Sequence, residues 1–367
     1  MKSKTQDMSD LTKKTVKDLT EMCSSLGQKP PSSLRKEELI QFYHGIVKMQ
    51  REGIKPTQKY NGNDLDYVPV YMELKEDQTW IQHLYENGWA TVPVLENPKE
   101  TEDDFFKWLE SCSDKFKRDD PSTWNNIPSN LHGIFKHYIG HTEFVWKVRE
   151  QCYTMFTQLW GSEDLITSFD GGCFLVGKGE QNKRKQQWIH NDHPRKFIGQ
   201  GWTDTQCLVN IKPNGSDDGG LLLMEGSHRF FDEYMERHPI DGFGFCPADM
   251  TDVQLKECRP IKICAKEGEA ILWDGRIFHC NVPPKNENNV RMCIYVSMMP
   301  KSGADKSELK RRIGYFEKGQ MTGHWCYGPY LTSNGNRPRD YGVEHPSPKE
   351  LEIAELNQVR RKLIGYE

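Results

Sequence analysis

At 367 residues the chain is long for one domain, which favours one large domain with an appendage. Its 36% hydrophobic and 11% aromatic content, ten tryptophans included, excludes a disordered chain. The net charge of −4 excludes a generic polyanion binder and leaves room only for a local basic face.

Eleven cysteines, with no CxxC pair, argue against a disulfide framework, a zinc ribbon or a thioredoxin-like motif. They predict reduced thiols in an intracellular protein, cytoplasmic or nuclear. The opening Met1-Lys2-Ser3-Lys4 leads into no apolar run, so it does not read as a signal peptide. No stretch approaches the roughly eighteen apolar residues of a membrane span.

In chain order, Leu11, Val16, Leu19, Met22, Cys23 and Leu26 recur at helical spacing, with Gly27 as a stop. Lys29-Pro30-Pro31-Ser32-Ser33 breaks the chain, and Leu34, Leu39, Ile40, Tyr43, Ile46 and Val47 form the apolar side of a second helix. The first 58 residues carry a net charge of +4 and the rest −8, a contrast that marks a separate module. Residues 1–52 are therefore expected to form a helical module, 53–72 a Gly/Pro/Asn linker and 73–367 the main domain. From Glu73 to Trp160 the pattern is mainly helical around a strand at Trp89–Val94.

After Gly171 short β-like runs follow, punctuated by Gly, Asn, Asp and Pro: Cys173–Val176, Gln187–Asn191, Gln206–Ile211, Leu221–Met224, Ile261–Cys264, Ala270–Trp273 and Met292–Met298. Such a series points to a sandwich or barrel-like β fold. Residues 321–341, rich in Gly, Asn, Pro and aromatics, read as a lid or as a solvated loop packed on itself.

The stretch Gln187-Trp188-Ile189-His190-Asn191-Asp192-His193 contains His-x-Asp. On a strand alternate side chains share a face, so His190 and Asp192 point the same way and His193 points away. An imidazole beside a carboxylate suits iron(II), and one more histidine completes a facial triad with open positions for co-substrate and oxygen. The pattern is weak alone among twelve histidines. His141-Thr142-Glu143 shows the same spacing, but in a stretch read as helical, where residues two apart diverge.

A second block runs Gly268-Glu269-Ala270-Ile271-Leu272-Trp273-Asp274, then His279 after a turn, then Arg291 entering the next strand. With the His-x-Asp strand and the element Gly219-Gly220-Leu221-Leu222-Leu223-Met224-Glu225-Gly226-Ser227-His228, this block resembles the phytanoyl-CoA dioxygenase family of iron(II)/2-oxoglutarate oxygenases, over residues 75–300 or so. The resemblance implies a mainly β fold with flanking helices, built on a double-stranded β-helix (jelly-roll, cupin-like) core. It also implies iron(II), 2-oxoglutarate and O2, with His190, Asp192 and His279 as catalytic metal ligands and His228 as a structural residue. Arg291 would bind the distal carboxylate of 2-oxoglutarate, a role that a planar guanidinium fills better than any other side chain.

The expected reaction is hydroxylation of a substrate C–H bond coupled to release of succinate and CO2, on a small-molecule or macromolecule-borne substrate. Related halogenases replace the carboxylate with a small residue, whereas Asp192 is retained here. Asn191 between the ligands, and the following Arg195 and Lys196, depart from the family pattern. Leu19, Leu26 and Leu34-Arg35-Lys36-Glu37-Glu38-Leu39-Ile40 resemble a SAP-like helical module, which implies a DNA contact through residues 10–48; a hairpin docked on the main domain fits the same residues. A nucleic-acid-modifying oxygenase and a non-catalytic binding protein of the same fold are the other function classes.

Overall fold

The computed structural model describes residues 65–127, 133–135, 138–177, 188–193, 195–238, 246–286, 289–328, 330–333 and 354–367, with residues 11, 13–25, 36, 40 and 43 of the N-terminal region. The strands in chain order are β1 (Val68–Val70), β2 (Trp89–Pro93), β3 (Ile134–Phe135), β4 (Leu165–Thr167), β5 (Gly172–Val176), β6 (His190–Asn191) and β7 (Thr205–Asn210). They continue with β8 (Gly220–Met224), β9 (Cys246–Pro247), β10 (Pro260–Ile263), β11 (Glu269–Asp274), β12 (His279–Val282), β13 (Val290–Tyr295) and β14 (Met298–Pro300). The helices used below are α1 (Val16–Ser25), α2 (Trp80–Asn87), α3 (Pro98–Cys112) and α4 (Glu143–Trp160).

Two six-stranded sheets carry the fold. One runs β1-β10-β8-β12-β6-β9 and the other β2-β11-β7-β13-β5-β3, with β14 and β4 forming a small third sheet. Period-two alternation sorts their side chains. Leu221 and Leu223 of the first sheet share a buried cluster with Cys173, Leu175, Leu208, Ile271, Trp273 and Cys293 of the second, so these faces pack on one another. The alternate residues look outward. Leu222, Met224, Cys280 and Val282 form a cluster on the far side of the first sheet. Phe174, Val209, Leu272 and Ile294 join Phe105, Phe106, Val145 and Phe156 of α3 and α4 behind the second.

Phe174 meets Trp124, Phe116 and Phe106 edge-on at centroid distances of 5.6, 5.8 and 6.0 Å. Truncating it to alanine would cost roughly 3–5 kcal/mol. The result is a mixed β/α fold whose paired sheets resemble a double-stranded β-helix.

Local signals set the helix ends. Thr79 and Gln82 form a capping box at the start of α2, and Gly88, at φ 83°, ends it. A Cβ at Gly88 would sit 2.5 Å from His228 Nδ1, so the position needs glycine twice over.

Three expectations are corrected. Val68–Val70, inside the span read as linker, is an edge strand parallel to β10, held by backbone pairing that its composition does not announce. Met292–Met298 is not a continuous run: Ser297 exchanges hydrogen bonds with Ser168, which turns the chain from β13 into β14. His141 lies in a 3-10 turn, Ile139–His141, ahead of α4 rather than within a helix.

In the N-terminal region, Leu11, Leu19 and Ile40 form their own small cluster with Met22 and Tyr43. Residues 53–64 of the expected linker, most of the expected second helix and residues 334–341 of the expected lid lie outside the described residues. None of the eleven cysteines is in a disulfide. Among the described residues no helix is long and apolar enough to cross a membrane.

Candidate metal centre

Strands β6 and β12 run antiparallel with His190 directly opposite His279, which brings the two rings to a centroid distance of 4.4 Å. Asp192 follows β6 by one residue and turns back toward both. Its Oδ1 lies 3.4 Å from His190 Nε2 and its Oδ2 lies 3.5 Å from His279 Nε2. Among the described residues this is the one group of three whose candidate ligand atoms all lie within 4.8 Å of one another. Ligands at about 2.1 Å from a shared ion and at right angles would stand about 3 Å apart, so the spacing already approximates one face of a coordination sphere.

The histidine tautomers are set by the backbone. His190 Nδ1–H donates to the Trp188 carbonyl at 3.0 Å and His279 Nδ1–H to that of Ile277 at 3.1 Å. Both Nε2 lone pairs are therefore left facing Asp192, as a metal requires. Burial pushes the His190 imidazole below its ordinary pKa and so favours the neutral, ligating form. Two imidazoles and one carboxylate, preset in direction, fit iron(II).

Arg291 stands on the opposite sheet. On β13 it shares a face with Cys293 and Tyr295, and Cys293 belongs to the cluster between the sheets. His279 and Asn281 of β12 face the same space, because Cys280 and Val282 belong to the outer cluster. Asn281 Nδ2 donates to the Tyr295 hydroxyl at 3.3 Å, closing the gap between the strands. Arg291 is 3% exposed, yet none of its three guanidinium nitrogens makes a hydrogen bond among the described residues.

Burial works against its charge, but the surrounding Cys293, Tyr295 and Cys173 leave its pKa raised overall. A buried cation without an anion costs several kcal/mol. A ligand carboxylate removes that cost, so the residues present fit a dicarboxylate co-substrate.

The remaining candidates fall outside this constellation. Arg276 is committed to a bidentate pair with Asp274, at 2.9 and 2.6 Å. His193, past the end of β6, has its Nε2 2.7 Å from the Thr203 hydroxyl and 3.0 Å from Asp204 Oδ1. His141 donates from Nε2 to the Gln320 carbonyl, and His228 from Nε2 to that of Tyr85. In the Gly-Ser-His element it is Ser227 that serves the centre, its Oγ accepting from the Phe278 amide next to His279.

Asn191, between the ligands, donates to the Arg276 carbonyl and accepts from the His193 amide, so it fastens the ligand turn to a neighbouring one. Arg195 is half-buried in a 3-10 turn, and the Lys196 side chain lies outside the described residues. The sequence reading missed Gln206 and the flat stacking of Trp188 on His190, centroids 4.2 Å apart. A polar residue in the fully buried strand β7 is the one signal that pointed to Gln206.

No family profile matches the chain. Among curated proteins it is similar to the Ava biosynthesis cluster protein O of Aspergillus versicolor, 28% identical over 258 residues, covering 65% of this chain and 82% of that protein. It is also similar to a Dictyostelium discoideum protein named "Putative phytanoyl-CoA dioxygenase", 21% identical over 264 residues, covering 59% and 73%. Among solved structures it overlaps the epimerase SnoN in complex with Fe3+, alpha ketoglutarate and nogalamycin RO, at 12% identity and a TM-score of 0.44, covering 77% of this chain and 95% of that one. HygX from Streptomyces hygroscopicus, with nickel and 2-oxoglutarate bound, gives 12% identity, a TM-score of 0.39 and coverage of 62% and 88%. Overlaps this loose carry no residue-level argument. The triad and the Dictyostelium relative support a place in the superfamily of non-haem iron(II)/2-oxoglutarate oxygenases.

Proposed function

We propose that the chain is an iron(II)- and 2-oxoglutarate-dependent dioxygenase that hydroxylates a C–H bond of a small organic substrate, with succinate and CO2 as co-products. The observation that carries this reading is a buried guanidinium with no carboxylate beside it among the described residues, on the sheet facing a His/Asp/His cluster. A metal-binding protein with no keto-acid co-substrate would have no use for such a cation. The small-molecule class rests on the Aspergillus relative, whose name places it in a biosynthesis cluster. Nothing among the described residues favours nucleic acid.

His190, Asp192 and His279 hold the metal, each aimed by a backbone or side-chain partner before any ion arrives. Bound there, iron(II) with 2-oxoglutarate supplies oxygen activation, which couples loss of CO2 from the keto acid to oxidation of the substrate. Arg291 takes the distal carboxylate and so fixes the direction in which the keto acid enters. The apolar wall of Leu208, Leu223 and Trp273 keeps water from the space between the sheets.

The test is succinate release from 2-oxoglutarate by the iron(II)-loaded protein without added substrate. Slow release that Asp192→Ala abolishes is expected. A protein that binds neither iron(II) nor 2-oxoglutarate would be a non-catalytic relative.

A further inference from the structure

Asp192 has a partner that does not belong to the triad. Gln206 Nε2 donates to Asp192 Oδ2 at 3.0 Å. Gln206 lies on β7 in the second sheet, in register with Trp273 of β11, whereas Asp192 follows β6 in the first. The bond therefore crosses the space between the sheets. Around Gln206 the strand is apolar or turned away: Leu208 packs between the sheets, and Cys207 and Val209 look outward. Gln206 itself is 6% exposed, too buried to be a solvated side chain that happens to lie near the site. An amide at this depth must bring its donors to an acceptor or leave them unpaired at a cost of about 1–3 kcal/mol. The acceptor it reaches is the carboxylate of the triad.

On this basis, and resting on the iron-centre reading above, we propose that Gln206 is a positioning residue. It fixes the rotation of the Asp192 carboxylate, so that one oxygen is presented to the metal while the other is held by the amide. Geometry supports the need. Asp192 lies beyond the end of β6, where no ladder bond constrains it, and its side chain is 17% exposed against 5% and 6% for the two histidines. The histidines are steered by backbone carbonyls two residues before them in the chain; the carboxylate is steered from across the core. A carboxylate free to rotate could chelate through both oxygens and occupy a position that co-substrate or oxygen needs, and the amide prevents this. Glutamine suits the task because it donates without adding charge. A lysine or arginine here would pair with Asp192 and weaken it as a ligand.

The test uses the full chain, stripped of metal and titrated anaerobically with cobalt(II), which reports its coordination through its visible absorption bands. Gln206→Met keeps the volume and removes the donor. The expected result is a cooperative thermal melt in the metal-free state close to wild type, a cobalt(II) affinity 10–100-fold weaker and an altered band envelope. A residue that merely packs would shift the melt and leave the bands unchanged. Wild-type affinity and bands in Gln206→Met overturn the inference and leave the iron-centre reading standing. A wild-type protein that takes up no cobalt(II) or iron(II) overturns both. Should Gln206→Met fail to fold, the crystal structure of the wild-type cobalt(II) protein decides: the Gln206 amide on the Asp192 oxygen that does not bind metal supports the role, and an amide turned away ends it.

Discussion

Trp188 lies flat on His190, with ring planes 9° apart and centroids 4.2 Å apart, while Trp273 approaches His279 at 5.4 Å. Each triad histidine thus has an indole against it. Stacking of this kind contributes about 0.5–1.5 kcal/mol beyond buried area and locks the imidazole plane. Cobalt(II) or iron(II) binding is expected to quench tryptophan emission, and Trp188→Phe to lose a clear share of that quenching at unchanged metal stoichiometry. Quenching of equal size in the variant would show that the ion sits elsewhere.

Asp192→Ala should retain the fold, by circular dichroism, and lose both bound iron and succinate release. His141→Ala serves as the control. It removes a buried ring hydrogen-bonded to Gln320, so it should melt lower yet keep its metal. Iron bound equally well by both variants would remove Asp192 from the ligand set.

For Arg291, the expectation is a rise in the 2-oxoglutarate KM of at least tenfold in Arg291→Ala, about 1.4 kcal/mol or more, with partial recovery in Arg291→Lys. A second readout needs no turnover. 2-Oxoglutarate at a hundredfold excess over its Kd should stabilise wild type by about 2.7 kcal/mol and the alanine variant, at the same concentration, by about 1.4 kcal/mol or less. An unchanged KM in both variants would move the anchor to another group.

Acid should weaken the fold partly through His141. Burial, with Arg149 nearby, lowers its pKa to about 4 from the ordinary 6.5. Between those values the unfolded chain binds more protons, so the stability His141 contributes is present above about pH 6.5 and is lost as pH falls toward 4. Asp204, whose pKa burial raises, acts in the opposite sense. The clean measurement is therefore a difference: the stability gap between metal-free wild type and His141→Asn should narrow from pH 7 to pH 4. A constant gap would contradict the assignment.

The N-terminal region can be tested by removal. Deleting residues 1–58 takes away the cluster of Leu11, Leu19 and Ile40 and spares Val68–Val70, which the first sheet needs. The shortened protein should still bind metal and 2-oxoglutarate. If this region contacts DNA, a gel shift given by the full chain should weaken steeply with salt and vanish on deletion. No shift by either form, with a lower melt on deletion, would instead mark a docked hairpin.

Part of the centre was legible. His-x-Asp was read as a pair on one strand face, and the two groups do meet, but β6 ends at Asn191 and Asp192 reaches the site from the turn that follows. The pairing of His279 with His190 was not legible, since ladder partners far apart in sequence leave no local trace. Gln206 was hidden for the same reason, its meaning lying in what it reaches across the core. The β1 strand escaped because three residues joining an edge carry too little pattern to stand out from a linker.

The ligand histidines sit on one sheet and the arginine on the other, and sheets that pack face to face keep a separation of about 10 Å. The distance between the two ends of the co-substrate site is consequently a property of the sandwich rather than of any loop. The core acts as a gauge for keto-diacid length. The five-carbon acid should be accepted, while its four- and six-carbon homologues, oxaloacetate and 2-oxoadipate, should fall short of the guanidinium or overrun it. Residues that thicken or thin the core, Leu208 and Leu223 among them, then become the places where that preference is reset without touching either end of the site.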